Sequence, residues 1–129
     1  MSFLLDTHVF LWLLASPDRI PPRVRTQLAD PAVPLLVSAV SAFEVATKSR
    51  LGKLQAPGLL ETWSRRVADL GADELALTTE HSLLAGTLPW EHRDPFDRLL
   101  VGQAMTEGAV LVTVDSAIAQ LPAPAVMTW

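Results

Sequence analysis

The sequence predicts an α/β fold with a parallel sheet, and three observations carry that prediction. Short apolar runs alternate with helical stretches from one end of the chain to the other. No two runs are joined by a hairpin signal such as Asn-Gly, so consecutive strands should be parallel and linked by right-handed crossovers. The first strand and the clearest late one, Phe3 to Leu5 and Ala109 to Val114, each run into a carboxylate, Asp6 and Asp115. Ligands of open parallel sheets bind beyond the carboxyl ends of the strands, so both acids stand where a site would form.

Each element has its own signal. Phe3, Leu4 and Leu5 form the continuous apolar run of a strand buried on both faces, and from Thr7 the pattern turns helical through Val9 to Leu14. Ser16 to Pro22 is turn-rich, and Pro21 and Pro22 suit the first turn of a helix carrying Val24 and Leu28. Pro34 to Val37 is a second strand. Ser38 opens a longer helix in which Val40, Phe43 and Val45 mix with Glu44, Lys48 and Arg50, closed near Gly52. Leu59 to Leu70 reads as one helix with Trp63 and Val67 on its apolar face. Glu74 to Leu77 makes a third strand, and Thr79 to Leu88 a short helix capped by Thr78 or Thr79, with His81 on its surface. Trp90 to Arg93 is a polar loop before Asp94-Pro95 opens a periodic helix with Phe96, Leu99, Leu100 and Ala104. Pro122, Pro124 and the final AVMTW suggest a last edge strand.

The 129 residues fit one domain, 1–129, that can bury roughly two-thirds of its unfolded surface. Half the residues are hydrophobic, yet no apolar run approaches the ~20 residues of a membrane span. There is no basic leader, and the absence of cysteine excludes disulfides and thiolate zinc sites, so a cytoplasmic address is expected. A formal net charge of -4 excludes a protein that coats nucleic acid by bulk charge. Any such contact must be local or carried by metal ions.

Four carboxylates stand out: Asp6, Glu44, Asp97 and Asp115. Singly, each has a structural explanation. Asp6 and Asp115 suit helix caps, and Asp94, Pro95 and Asp97 match an N-cap, a first-turn proline and an acid favoured by the helix dipole. Glu44 lies three residues after Ser41, as in a capping box, and four before Lys48, the favourable order for an ion pair. Together, strand-end and first-turn acids would share one rim of the sheet and repel, so a cation must offset them. Hard oxygen ligands without cysteine point to Mg²⁺ or Mn²⁺. His8, His81 and His92 form no ligand pair, though His8 and His92 fall near the rim.

Four blocks, LLDTHVFLW at 4–12, FEVATKSRLGKL at 43–54, LPWEHRDPFDRLLVGQA at 88–104 and LVTVD at 111–115, resemble in order and spacing the PIN-domain ribonucleases of the VapC toxin type. The similarity spans nearly the whole chain. It implies a three-layer α/β/α sandwich, Mg²⁺-dependent endonucleolytic cleavage of RNA, and a cognate VapB-type antitoxin. Homodimers are common in the family. Carried over, the family's four acids fall on Asp6, Glu44, Asp97 and the more variable Asp115. Thr113 matches the small polar residue before the last acid, and Asp94 belongs to capping or to support of the site. Many relatives have tryptophan where Phe43 stands, which reads as a packing substitution.

On this reading Asp6 and Asp97 hold the principal Mg²⁺, with Mn²⁺ as a substitute, while Glu44 and Asp115 bind a second ion or orient water. Thr7, with Ser38 and Ser41, serves as cap or support. Lys48, Arg50, Lys53, Arg93 and Arg98 are candidate phosphate contacts, whereas Arg65 and Arg66 read as solvated surface. Trp12, Trp63 and Leu13 read as core or dimer contacts. Haloacid dehalogenase phosphatases are excluded because their second Asp would fall on His8, and receiver domains because no lysine follows the late strand. The remaining alternatives are a PIN-like module that binds RNA or protein without cleaving, and a PIN nuclease of RNA processing or of DNA.

Overall fold

The computed structural model describes residues 1–129. Five strands, β1 (Phe3–Leu5), β2 (Leu35–Ser38), β3 (Asp73–Leu75), β4 (Val110–Val112) and β5 (Val126–Met127), form one fully parallel sheet in the order β3-β2-β1-β4-β5. Its seven α-helices are α1 (Thr7–Ala15), α2 (Pro22–Leu28), α3 (Ala39–Arg50), α4 (Trp63–Asp69), α5 (Thr79–Thr87), α6 (Pro95–Glu107) and α7 (Ser116–Ala119). The unbroken apolar run of β1 puts it in the middle, with Leu4 opposite Leu36 on one side and Leu111 on the other.

Successive strand residues point to opposite faces, and β1 divides its three accordingly. Phe3 and Leu5 join Val9, Phe10, Val24, Leu28 and Val67 in a core beneath α1, α2 and α4. Leu4 turns the other way, to Val40, Leu100, Val101, Ala104 and Ile118 beneath α3, α6 and α7. The result is a three-layer α/β/α sandwich. From β1 the chain steps outward to β2 and β3, then returns through α5 and α6 to place β4 on the far side of β1. Strand order therefore reverses between β1 and β4, at the two strands that run into Asp6 and Asp115.

Three expectations need correction. The helix over Leu59–Leu70 is divided, with a 3₁₀ turn at Leu60–Thr62 before α4. The Thr62 hydroxyl donates to the Gly58 carbonyl at 2.6 Å, a local bond that competes with the helical ladder. Ser38, one turn earlier than Ser41, caps α3, its Oγ accepting from the Val40 N–H at 2.9 Å. Most consequentially, His81 is only 1 % exposed. Its Nδ1 accepts from the Thr78 N–H at 3.0 Å while Thr78 Oγ1 accepts from the His81 N–H at 3.2 Å, a capping box with histidine in the place usual for Glu or Gln. Nε2 lies 2.9 Å from Glu107 Oε2. Buried Gln103 accepts from the Ser38 hydroxyl and stands 3.3 Å from His81 Nδ1, so α3, α5 and α6 share one polar lock.

Helices α5 and α6 touch backbone to backbone at Gly102, where a Cβ would meet Ala85 Cβ and the His81 carbonyl oxygen, each at 3.0 Å. Helix propensity alone would make Gly102→Ala stabilising by about 1 kcal/mol. Overpacking of about 1–3 kcal/mol opposes it, so the urea midpoint is expected to fall with an unchanged slope. A higher midpoint would show that the helices can separate at no cost.

Candidate active site

Asp6 leaves β1 and caps α1: Oδ1 accepts from the Thr7 N–H at 2.7 Å and Oδ2 from the Thr113 hydroxyl at 2.6 Å. The acid at the end of β1 is thus oriented by the loop after β4. Because Ser38 is the cap, Ser41 lies inside α3 with its hydroxyl 2.9 Å from Thr7 Oγ1, and the Ser41–Glu44 capping box does not form. Glu44 Oε1 accepts instead from the Thr7 hydroxyl at 2.7 Å, while Oε2 pairs with Lys48 one turn on.

The other acids arrive as helix starts. Asp94 caps α6, its Oδ1 accepting from the N–H groups of Phe96 at 2.9 Å and Asp97 at 3.3 Å. Asp97 follows in the first turn, with Oδ2 2.8 Å from His92 Nε2. Asp115 caps α7 through Ala117 N–H at 2.9 Å, and its own N–H donates to Thr113 Oγ1 at 3.0 Å. Thr113 therefore links two of the acids.

Asp6, Glu44, Asp94, Asp97 and Asp115 line one cavity of about 260 Å³ with His8, Trp12, Lys48 and Val114. A larger hollow of about 660 Å³ beside Met1, Phe3 and Val126 offers Asp30 alone as an ionisable side chain. Chemistry converges in the smaller one. Burial pushes the Asp97 carboxyl up to about 6, against its hydrogen bond from His92, and the charges of Asp94, Asp6 and Asp115 push the same way. Asp6 is also raised, by burial first and by Glu44, although its bonds from Thr113 and Thr7 resist. Burial would lower Lys48, but hydrogen bonding and attraction to Glu44, with Asp94 and Asp97 beyond, hold it above the ordinary lysine value.

Carboxylates that resist ionisation together are short of positive charge, and Lys48 alone does not supply it. Ligand atoms of His92, Asp94 and Asp97 lie within 4.8 Å of one another, a group that does not include Asp6. Its carboxylate oxygens suit a hard divalent cation, while the imidazole is already engaged by Asp97.

Residues 3–124 match the family model described as PIN domain. The chain belongs to the PIN-domain family. Among curated proteins, none matches this PIN domain's sequence. Its fold is shared with chains in three solved complexes: DNA-bound VapBC from Salmonella typhimurium (TM-score 0.75, 18% identity, covering 100% of this chain and 98% of that one), VapBC2 from Rickettsia felis bound to a promoter fragment (0.73, 16%, 100% and 99%) and VapBC-1 from nontypeable Haemophilus influenzae (0.66, 20%, 100% and 98%).

Other expected site residues stand differently in the PIN domain. Arg98, expected at a phosphate, gives its guanidinium to the carbonyl oxygens of Ala85 at 3.0 Å, Leu88 at 2.9 Å, His92 at 3.2 Å and Trp90. It pins the 88–93 loop, in which Trp90 stacks on His92 with ring centres 4.5 Å apart and planes 17° from parallel. That stack in turn holds the imidazole against Asp97. Lys48 spends charge on Glu44, and Arg93 is exposed. Phe43, read as a packing residue, is 65 % exposed and forms an edge-to-face pair with Phe96, ring centres 5.8 Å apart. Asp94 does more than cap, since it also lines the cavity. Trp12 on the cavity wall and Trp90 behind it carried no local sequence signal for those places.

Arg98→Ala is expected to cost about 2–4 kcal/mol because it strands several partly buried carbonyls at once. Lysine cannot reproduce the planar fork, so Arg98→Lys should recover little. Chemical denaturation checks both; a loss below about 0.5 kcal/mol would remove Arg98 from the loop's support.

Proposed function

We propose that this PIN domain is a Mg²⁺-dependent endoribonuclease, the toxin of a VapBC-type toxin–antitoxin system. The observation that carries the reading is the convergence of five carboxylates, two of them raised by burial, on one cavity at the reversal of strand order. Asp6 and Asp97 would be the principal ligands of Mg²⁺ or Mn²⁺. When bound, the ion supplies water acidified toward neutrality and a counter-charge for the attacking and leaving oxygens. Glu44 and Asp115 would bind a second ion or orient water at the scissile phosphodiester. The Thr113 and Thr7 hydroxyls fix the carboxylates of Asp6 and Glu44 by hydrogen bonds, so the acids need little rearrangement for reaction. His92, clamped between Trp90 and Asp97, orients Asp97.

Support for the toxin reading is the four-block resemblance over most of the chain together with a fold shared, end to end, with chains of VapBC complexes. Its partner is accordingly a VapB-type antitoxin, its state a homodimer, and its place the cytoplasm. No helix is long and apolar enough to cross a membrane. An antitoxin can silence such a site by placing an arginine among the carboxylates, where a guanidinium pairs bidentately and excludes metal.

The test is cleavage of total and defined structured RNAs with Mg²⁺, Mn²⁺ or EDTA, beside Asp6→Asn. Discrete products that need metal and vanish in the variant are expected. A folded protein that binds no divalent ion would instead be a silent binding module.

A further inference from the structure

The acidic cavity opens sideways. His8 and Trp12 on its wall also line a groove of about 560 Å³ formed by α1, the turn that follows it, and residues 54–59. A hollow of about 180 Å³ shares His8, Glu44 and Lys48 with the cavity, and His8, Leu11 and Leu54 with the groove. The three make one trench with His8 at the junction. Charge is sorted along it. Arg19 and Arg66 line the groove and Lys48 and Lys53 the hollow, while the one carboxylate lining either is Glu44, which also lines the acidic cavity and is paired with Lys48. In a chain with 14 acids and 10 lysines and arginines, this segregation leaves a basic channel feeding an acidic reaction centre.

The walls between the cations are apolar, from Leu11, Leu14 and Leu59. Trp12 is half-buried and held in place, with the Arg19 guanidinium 5.3 Å from its ring centre and Trp129 at 6.4 Å. Cations spaced along an apolar and aromatic wall are the chemistry of a single strand, whose phosphates need charge and whose unpaired bases need surface. A duplex offers the wall no base faces.

We propose that the trench seats single-stranded RNA flanking the scissile phosphate, with Arg19, Arg66 and Lys53 at backbone phosphates and Trp12 beside His8 receiving a base. The inference rests on the nuclease reading above and extends it from the reacting bond to the strand on one side of it. Arg66, read from the sequence as solvated surface, thereby acquires a ligand.

The probe is a fluorescein-labelled, mixed-sequence single-stranded RNA dodecamer, titrated by anisotropy over a range of salt in an Asp6→Asn background. The Arg19→Gln/Arg66→Gln double variant is expected to bind about tenfold more weakly, and its salt slope to fall by about 1.4. In the active protein the same pair should raise KM for the dodecamer about tenfold at constant kcat. Arg65→Gln, on the same helix but outside the trench, should match the parent. Unchanged affinity and slope in the double variant would overturn the proposal, as would an equal loss in Arg65→Gln, which signals diffuse charge. Loss of binding to a poly-glutamate peptide with RNA binding intact would assign the trench to an acidic protein segment and also overturn it. A parent that cleaves no RNA under any metal would sink the nuclease reading, while the binding measurement, which needs no turnover, still decides the trench.

Discussion

Replacing Asp97 with asparagine is expected to lower RNA cleavage by roughly a thousandfold and, in the same protein, to raise the melting temperature by a few degrees. On the proposed function, the loss follows from removing a charged metal ligand at the reacting centre, where electrostatic stabilisation dominates the rate. The gain has a separate cause. Asp97 is charged against burial and against Asp94, Asp6 and Asp115, so an isosteric neutral amide relieves a standing cost of about 1 kcal/mol. The carbonyl oxygen of that amide can still accept from His92 Nε2, which preserves the clamp from the 88–93 loop. Opposite movements of activity and stability distinguish a functional carboxylate from a structural cap, since losing a cap lowers stability. A variant that is both inactive and less stable would return Asp97 to the structural role its place in the first turn also permits.

The second large effect is on pH. Asp97 titrates near 6 in the folded protein and near 3.8 when unfolded, so between those values the native state holds more protons. Stability of the metal-free protein in EDTA should therefore rise as pH falls from 7 toward 4, with Asp6 contributing in the same direction. Metal binding should run the opposite way: affinity for Mn²⁺ is expected to fall by about tenfold per pH unit below about 6, as proton and ion compete for Asp97. Thermal melts with and without Mn²⁺ read both, because bound metal raises Tm by mass action. At pH 7 the ion should stabilise clearly and at pH 5 barely. Equal stabilisation at both would mean that Asp97 is not a ligand.

Much of this was legible in the chain, and the misreadings share a cause. The buried run of β1, the alternation of strands and helices, the Asp94 cap and the Glu44–Lys48 pair all rest on neighbours within a few residues, which sequence spacing reports directly. Where a partner is distant, spacing is silent. Nothing around His81 announces that Glu107 and Gln103 complete its burial, and a histidine in a capping box lacks the usual Glu or Gln mark. Nothing in residue type marks the backbone carbonyls that accept from Arg98, so its sequence context leaves it free for a phosphate. Ser41 is spaced from Glu44 as in a capping box, but Ser38, where the helix opens, takes the cap, and the Ser41 hydroxyl turns to Thr7 instead. Phe43 followed the helical apolar pattern but faces outward, since α3 turns Val40 and Val45 to the core and Glu44 to the cavity.

The Asp6–Thr113 bond joins residues 107 positions apart, and β1 needs β4 on one flank to be a central strand at all. At roughly 5–20 residues per second of translation, the ribosome makes Asp6 several seconds before it makes the hydroxyl that orients it. During that interval the nascent chain has an acid but no assembled site, and a product that terminates before β4 never acquires one. If the proposed function holds, the order in which the strands are added leaves the nuclease without an assembled site throughout most of its synthesis.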